Sequence, residues 1–133
     1  MSSESEQGRL FLRIPGKPEY VSLVRLTISG LASRVNDLSY EDIEDLKLAV
    51  AEACSRAILH GNGEEISIEC QVSDHSVTVS IQDQGTGEEE EDDMGIFLIR
   101  SLMEEVTIKT LAGKGSILLM SKKRNHEHRN QRS

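Results

Sequence analysis

Three short stretches of this chain carry residues whose types suit ligand chemistry. The first is Asp83-Gln84-Gly85-Thr86-Gly87. Glycine lets backbone approach a ligand closely, and a carboxylate accepts a hydrogen bond from the amino group of a base. The second is Met94-Gly95-Ile96-Phe97-Leu98-Ile99, where a glycine opens an apolar segment. Free N–H groups at such a helix start can cradle a phosphate. The third is Glu52, placed where a helix carboxylate could serve as a general base. Each stretch has a plainer reading: an ordinary turn, a packed helix start, an exposed surface glutamate.

The elements around these residues follow from periodicity. Leu10, Leu12 and Ile14 alternate with Phe11 and Arg13, as in a strand, and Pro15, Gly16 and Pro18 mark a turn. A helix over 19–36 carries Val21, Val24, Ile28, Leu31 and Val35 on one stripe. Gly30 within it suggests a close packing contact. Ser39 and Asp42 form a capping-box pattern, so a second helix spans 40–60, with Gly61 as its C-terminal stop. Its inner stripe is Ile43, Leu46, Val50, Ala53 and Ala57; a second stripe holds Leu48, Glu52, Arg56 and Leu59.

Two alternating segments, 65–72 and 76–82, form a hairpin across Ser73-Asp74-His75. A Gly-rich then acidic loop covers 83–93, a third helix spans 94–105, and a second hairpin joins 106–111 to 116–121. Strands grouped in this way predict an α+β fold: two layers, a mixed and mostly antiparallel sheet with helices on one face. The expected organisation is a polar arm over 1–8, one domain over 9–122 and a basic tail over 123–133.

Composition limits the function classes. The 133 residues suit one core, and with 3% aromatic residues that core is aliphatic. No apolar run approaches the ~20 residues of a membrane span, and the start is polar and acidic, so a cytoplasmic protein without membrane contact is expected. Cys54 and Cys70 are too few for a disulfide framework and read as buried thiols. Net charge is −8; the stretch Lys122–Ser133 carries +4, which leaves −12 on the rest. So acidic a body argues against direct nucleic-acid binding and suits a basic protein partner. His60 and the pair His126 and His128 lack the partners of a usual metal site, and no metal ligand set is expected.

Taken together, the order and spacing of these motifs resemble the GHKL superfamily, and within it the bacterial anti-sigma-factor serine kinases. The likeness runs from about Leu10 to Lys122. It is carried by Pro15-Gly16-Lys17-Pro18-Glu19-Tyr20-Val21, Arg25-Leu26-Thr27-Ile28-Ser29-Gly30, Asp42-Ile43-Glu44-Asp45-Leu46-Lys47, Ala51-Glu52-Ala53-Cys54 and Gly95 to Val106. The resemblance implies a Bergerat-type ATP-binding fold. It also implies a protein that sequesters an RNA polymerase sigma factor and binds a STAS-domain anti-anti-sigma protein, phosphorylating it with ATP and magnesium. Family members tend to be dimers, so a homodimer is a further expectation.

By match, Glu52 is the base, Asp83 reads the adenine with Gly85 and Gly87 beside it, and Gly95 lies near the phosphates. Ser116 helps hold the base, and Arg25 contacts partner proteins. Two departures stand out. The family motif Glu-x-x-x-Asn holds magnesium through its Asn, and here that position is Arg56, which has donors and no acceptor lone pair. The long family lid is reduced to seven residues between Gly87 and Gly95, six of them acidic. The expectation is therefore an anti-sigma factor with a degenerate ATP site and reduced or absent kinase activity. The alternatives are an active serine kinase with a minimal lid, and an isolated GHKL module on another scaffold.

Overall fold

In the computed structural model, residues 8–61, 63–85, 94–111 and 115–124 are described. Among the described residues, five strands and three α-helices alternate in groups: β1 (Gly8–Ile14), α1 (Val21–Ala32), α2 (Tyr40–His60), β2 (Ile66–Val72), β3 (Ser76–Asp83), α3 (Met94–Leu102), β4 (Glu105–Leu111) and β5 (Gly115–Lys123). The sheet order is β1-β2-β3-β5-β4. Every adjacent pair is antiparallel, so the sheet is wholly antiparallel rather than mixed. Both hairpins pair strands that follow one another in the chain, and β1 closes the edge beside β2.

The helices cover one face of the sheet, with α2 packed between α1 and α3. Alternation along β2 and β3 sends Ile66, Ile68, Cys70, Val72, Val77, Val79 and Ile81 into the core. Val24, Ile28 and Ala32 of α1, and Leu46, Val50, Ala53 and Ala57 of α2, meet them. The opposite sheet face carries Ser67, Glu69, Gln71, Thr78, Ser80 and Gln82, all half-buried, and among the described residues no helix lies over it. This is the aliphatic core expected of a chain so poor in aromatics.

Helix α2 starts where the capping box places it. Ser39 Oγ accepts from the Asp42 N–H at 3.0 Å, and the Asp42 carboxylate accepts from the Ser39 N–H at 2.9 Å. Helix α1 is shorter than its apolar stripe suggests: a 3₁₀ turn over Pro18–Tyr20 precedes it, and it stops at Ala32. Val35 and Leu38 still reach the core, but from the connecting turns. Helix α3 likewise ends at Leu102 rather than 105, because Glu105 already pairs with Ser121 in the sheet. Gly30 does not mark a close contact; a methyl group there would meet nothing within 4 Å.

Strand β5 overruns its expected end and absorbs the first two residues of the basic stretch. Lys122 stands opposite Val77 on the core face and is only 2% exposed. Its ammonium donates to the Leu102 carbonyl at 2.6 Å and pairs with Asp45 at 3.5 Å and Glu104 at 3.6 Å. One buried cation thus ties β5, α2 and the end of α3 together. Both carboxylates keep partial solvent access, so the carbonyl bond is the interaction with no substitute. Lys122→Met should lower unfolding free energy by about 1–3 kcal/mol, the cost of an unsatisfied buried polar group, read as a lower urea midpoint at unchanged slope.

Cys54 of α2 and Cys70 of β2 are both buried and unpaired with each other. Burial pushes both thiols from 9.0 up to about 12. The folded chain holds these protons where the unfolded chain sheds them. The associated stability is complete below pH 9 and is lost as pH rises from 9 to 12. A Cys54→Ala, Cys70→Ala variant should therefore show a shallower alkaline loss of stability than the parent, measured by urea melts across that range.

Candidate functional site

The end of β3 is where backbone, carboxylate and glycine converge. Asp83 is 3% exposed and stands opposite Ser116 of β5. Its Oδ1 accepts from the Gly85 N–H at 2.9 Å, which turns the chain away from the strand. Its Oδ2 accepts from the Ser116 hydroxyl at 3.1 Å. The carboxylate is therefore fixed in orientation by two neighbours. Each oxygen retains a lone pair, so the pair can still accept from an amino-bearing ring.

Close packing around this carboxylate excludes side chains. A methyl group at Gly85 would fall 1.9 Å from the His60 carbonyl oxygen, and one at Gly115 would fall 2.0 Å from the Asp83 carbonyl oxygen. Gly115 also has φ +89°, a left-handed conformation that disfavours any larger residue. Gly61 completes the cradle, 3.8 Å from the Asp83 side chain if a methyl were added. Its own φ is −89°, so it ends α2 in ordinary right-handed backbone, not as a left-handed stop. What requires glycine there is the Ala57 carbonyl oxygen, which an added methyl would approach to 2.8 Å.

The other described residues singled out in the sequence sit on the three helices. Glu52 and Arg56 lie one turn apart on α2, Glu52 half-buried and Arg56 6% exposed. Arg56 precedes His60 by one turn, about 6 Å along the helix axis. Gly95 is half-buried at the second position of α3. Arg25 is exposed on α1, which packs on the other flank of α2. Gly87 and the acidic run from Glu88 to Asp93 lie outside the described residues. The sheet thus brings Asp83, Ser116 and Gly85 into one cluster, while Arg56 lies on α2 one helical turn before His60 and Arg25 lies on a separate helix.

Sequence reasoning named Asp83, Ser116 and Gly85 but missed Gly61 and Gly115 as walls of the same cradle. Gly115 could have been suspected from Gly113-Lys114-Gly115 immediately before Ser116. Lys122 was also missed, because it merges into a run of basic residues. Among the described residues no cluster of three or more His, Cys, Asp or Glu is arranged to hold a metal ion. Arg56 cannot supply a ligand, so the residues present do not fit a magnesium ion held from α2.

Comparison with known proteins places this arrangement in a family. Residues 14–122 match the histidine kinase-like ATPase domain. The chain is 38% identical to the serine-protein kinase RsbW of Listeria innocua, covering 86% of each chain. It is 36% identical to RsbW of Bacillus velezensis, covering 77% of this chain and 78% of the relative, and 33% identical to RsbW of Bacillus subtilis at the same coverage. The chain belongs to the RsbW serine-protein kinase family. The crystal structure of the RsbU and RsbW domains of Rv1364c from Mycobacterium tuberculosis shares the fold, with a TM-score of 0.69 at 20% identity. That match covers 90% of this chain and 34% of the other. The helix layer over an antiparallel sheet agrees with the two-layer α+β fold expected from sequence.

The contact between Gly85 and His60 sets the strictest local demand. Gly85→Ala should cost about 2–3 kcal/mol, as backbone would have to move to admit a methyl group. Gly30→Ala, in open space on α1, should be neutral or stabilising. Thermal or urea melts of the two variants check this contrast.

Proposed function

We propose that this chain is an anti-sigma factor of a partner-switching system. It sequesters a sigma factor from RNA polymerase, is released by a STAS-domain anti-anti-sigma protein, and has reduced or absent kinase activity. Membership of the RsbW family supports the partner classes. The observation that carries the loss of activity is Arg56, buried on α2 where the family motif places the metal-holding Asn. Phosphoryl transfer relies on metal ions that bridge and neutralise the phosphates. An always-charged guanidinium has no lone pair with which to hold one. In this reading Glu52 is retained as the family's base without the ion that would make it productive.

Partner binding has its own support in the helical layer. Of the nine large hydrophobic side chains exposed among the described residues, seven lie on the helices: Leu23, Leu26, Tyr40, Leu48, Leu59, Met94 and Phe97. Exposed apolar groups mark interaction surfaces when they gather on one side of a molecule. Arg25 stands between Leu23 and Leu26 on α1, so the partner-contacting position assigned by resemblance falls on the apolar layer. Control then comes from competition between two protein partners for that layer. The chain's net charge of −8 favours association with a basic partner surface.

One observation favours the second reading, an active ATP-dependent serine kinase: the Asp83–Ser116 pair is buried and well formed. The two readings separate in one assay. The purified protein is incubated with its genomically neighbouring STAS protein, ATP and magnesium, and in parallel with the neighbouring sigma factor. The expected result is a stable complex with the sigma factor and less than stoichiometric phosphoserine on the STAS protein. Full phosphorylation within minutes would establish the kinase. Arg25→Ala should weaken the sigma complex about tenfold while leaving the fold intact.

A further inference from the structure

Nothing inside the fold requires the glycine at position 30. It lies within α1, two residues before the helix ends at Ala32, and its backbone is not left-handed. A methyl group there would meet nothing within 4 Å, so no neighbour in the chain excludes one. Glycine is the poorest helix former after proline, because it gives up the most backbone freedom on folding. A residue that weakens its own helix and faces open space leaves room that only a second molecule can use.

The surroundings of Gly30 fit such a molecule. Leu23, Leu26 and Gly30 are spaced three and four apart, which puts them on one stripe of α1. That stripe faces away from Val24, Ile28 and Ala32, which are buried against the rest of the fold. Both leucines are more than half exposed, and Gly30 is exposed beside them. The Thr27 hydroxyl donates to the Leu23 carbonyl and the Ser33 hydroxyl to the Gly30 carbonyl, each at 2.8 Å. These carbonyls are satisfied within α1, so covering the stripe leaves them paired and adds little desolvation penalty. Helix axes pack about 8–10 Å apart depending on the side chains between them, and glycine permits the near end of that range.

Charge selects the occupant. Residues 21–36 hold Arg25 and Arg34 and neither Asp nor Glu, in a chain of net charge −8. Both arginines are exposed. A second copy of this helix would set arginine against arginine, whereas an acidic segment meets opposite charge. We infer that the Leu23–Leu26–Gly30 stripe receives an acidic amphipathic helix of a protein partner. The helix lays its apolar side over Gly30 between the leucines and turns its carboxylates toward Arg25 and Arg34. The inference rests on the partner-switching reading for the existence of a partner, and deepens it by naming the surface and the chemistry of the segment bound there. The acidic remainder of the chain is left to meet basic groups elsewhere on the same partner.

Calorimetric titration of the full chain with the genomically neighbouring sigma factor and STAS protein, one at a time, tests this. Gly30→Ala should keep or raise Tm yet weaken one of the two complexes at least threefold. Gly30→Gln and Leu26→Ser should weaken that complex at least tenfold. Arg34→Glu should weaken it too and flatten its dependence on salt. Phe11→Ser, on the uncovered sheet face, should leave both complexes unchanged. Hydrogen exchange on the wild-type complex reads the same contact without a variant: amides 23–33 should gain protection. Binding of both partners that survives Gly30→Gln and Leu26→Ser within twofold, or a complex with no added protection of α1, overturns the inference and leaves the partner-switching reading standing. A homodimer split by Gly30→Gln while both partner affinities hold would put a second copy on the stripe and overturn it as well. Failure of the wild-type chain to bind either partner would sink the partner-switching reading, and this inference with it.

Discussion

The approach of the His60 carbonyl to Gly85 is the contact on which the rest of the structure depends. It joins the last turn of the longest helix to the turn after the central strand, with no space for a side chain between them. Because α2 lies between α1 and α3, fixing its end against β3 fixes the helical layer over the sheet. Because β3 lies in the middle of the sheet, the same contact sets where Asp83 stands relative to β5 and Ser116. Gly115 repeats the device from the other side, against the Asp83 carbonyl. Two backbone contacts therefore fix the place of one carboxylate, and its bonds to the Gly85 N–H and the Ser116 hydroxyl fix its orientation.

At the far end of the same helix the solution is electrostatic. Lys122 rises from β5 into the space between Asp45 of α2 and the last turn of α3. A buried cation is costly unless nearly every donor finds a partner. Here a carbonyl and two carboxylates surround it, and the carboxylates keep contact with water, which lowers the cost of burying the ammonium. Helix α2 is thus fixed at its C-terminal end by steric contact and at its N-terminal end by charge. Asp37 extends the pattern beyond the helix, meeting His75 of the β2–β3 turn and Arg124 after β5.

Much of this was legible in the sequence because it depends on periodicity and local chemistry. The bounds of α2 follow from Ser39, Asp42 and a stripe that recurs every three or four residues. The strands of the first hairpin follow from strict alternation. Asp83, Gly85 and Ser116 were legible because their order matched a known pattern. What was not legible depends on contacts between distant segments. Gly30 and Gly85 are the same residue type in sequence, yet one faces open space and the other a carbonyl 1.9 Å from where its methyl would be. Lys122 resembles its neighbours Lys123 and Arg124, and only the register with Val77 turns it inward. The early ends of α1 and α3 have the same origin, since the apolar residues beyond them are buried from turns instead of from helix.

Arg56 shows how a charged residue can be buried within a helix without disturbing the fold. It sits on the helix that carries the steric contact with Gly85, one turn before His60, so its backbone is held by that constraint. Its side chain is an always-charged guanidinium, only 6% exposed, with donors and no acceptor lone pair. Asp83 and Ser116 are placed by the register of β3 with β5, whereas Arg56 is carried by α2. Strand register therefore fixes the first pair and helix position fixes the second, so a change of side chain on α2 leaves the Asp83–Ser116 pairing in the sheet ladder as it is. The exposed apolar side chains of the helices are separate again, standing apart from the residues that pack on the sheet.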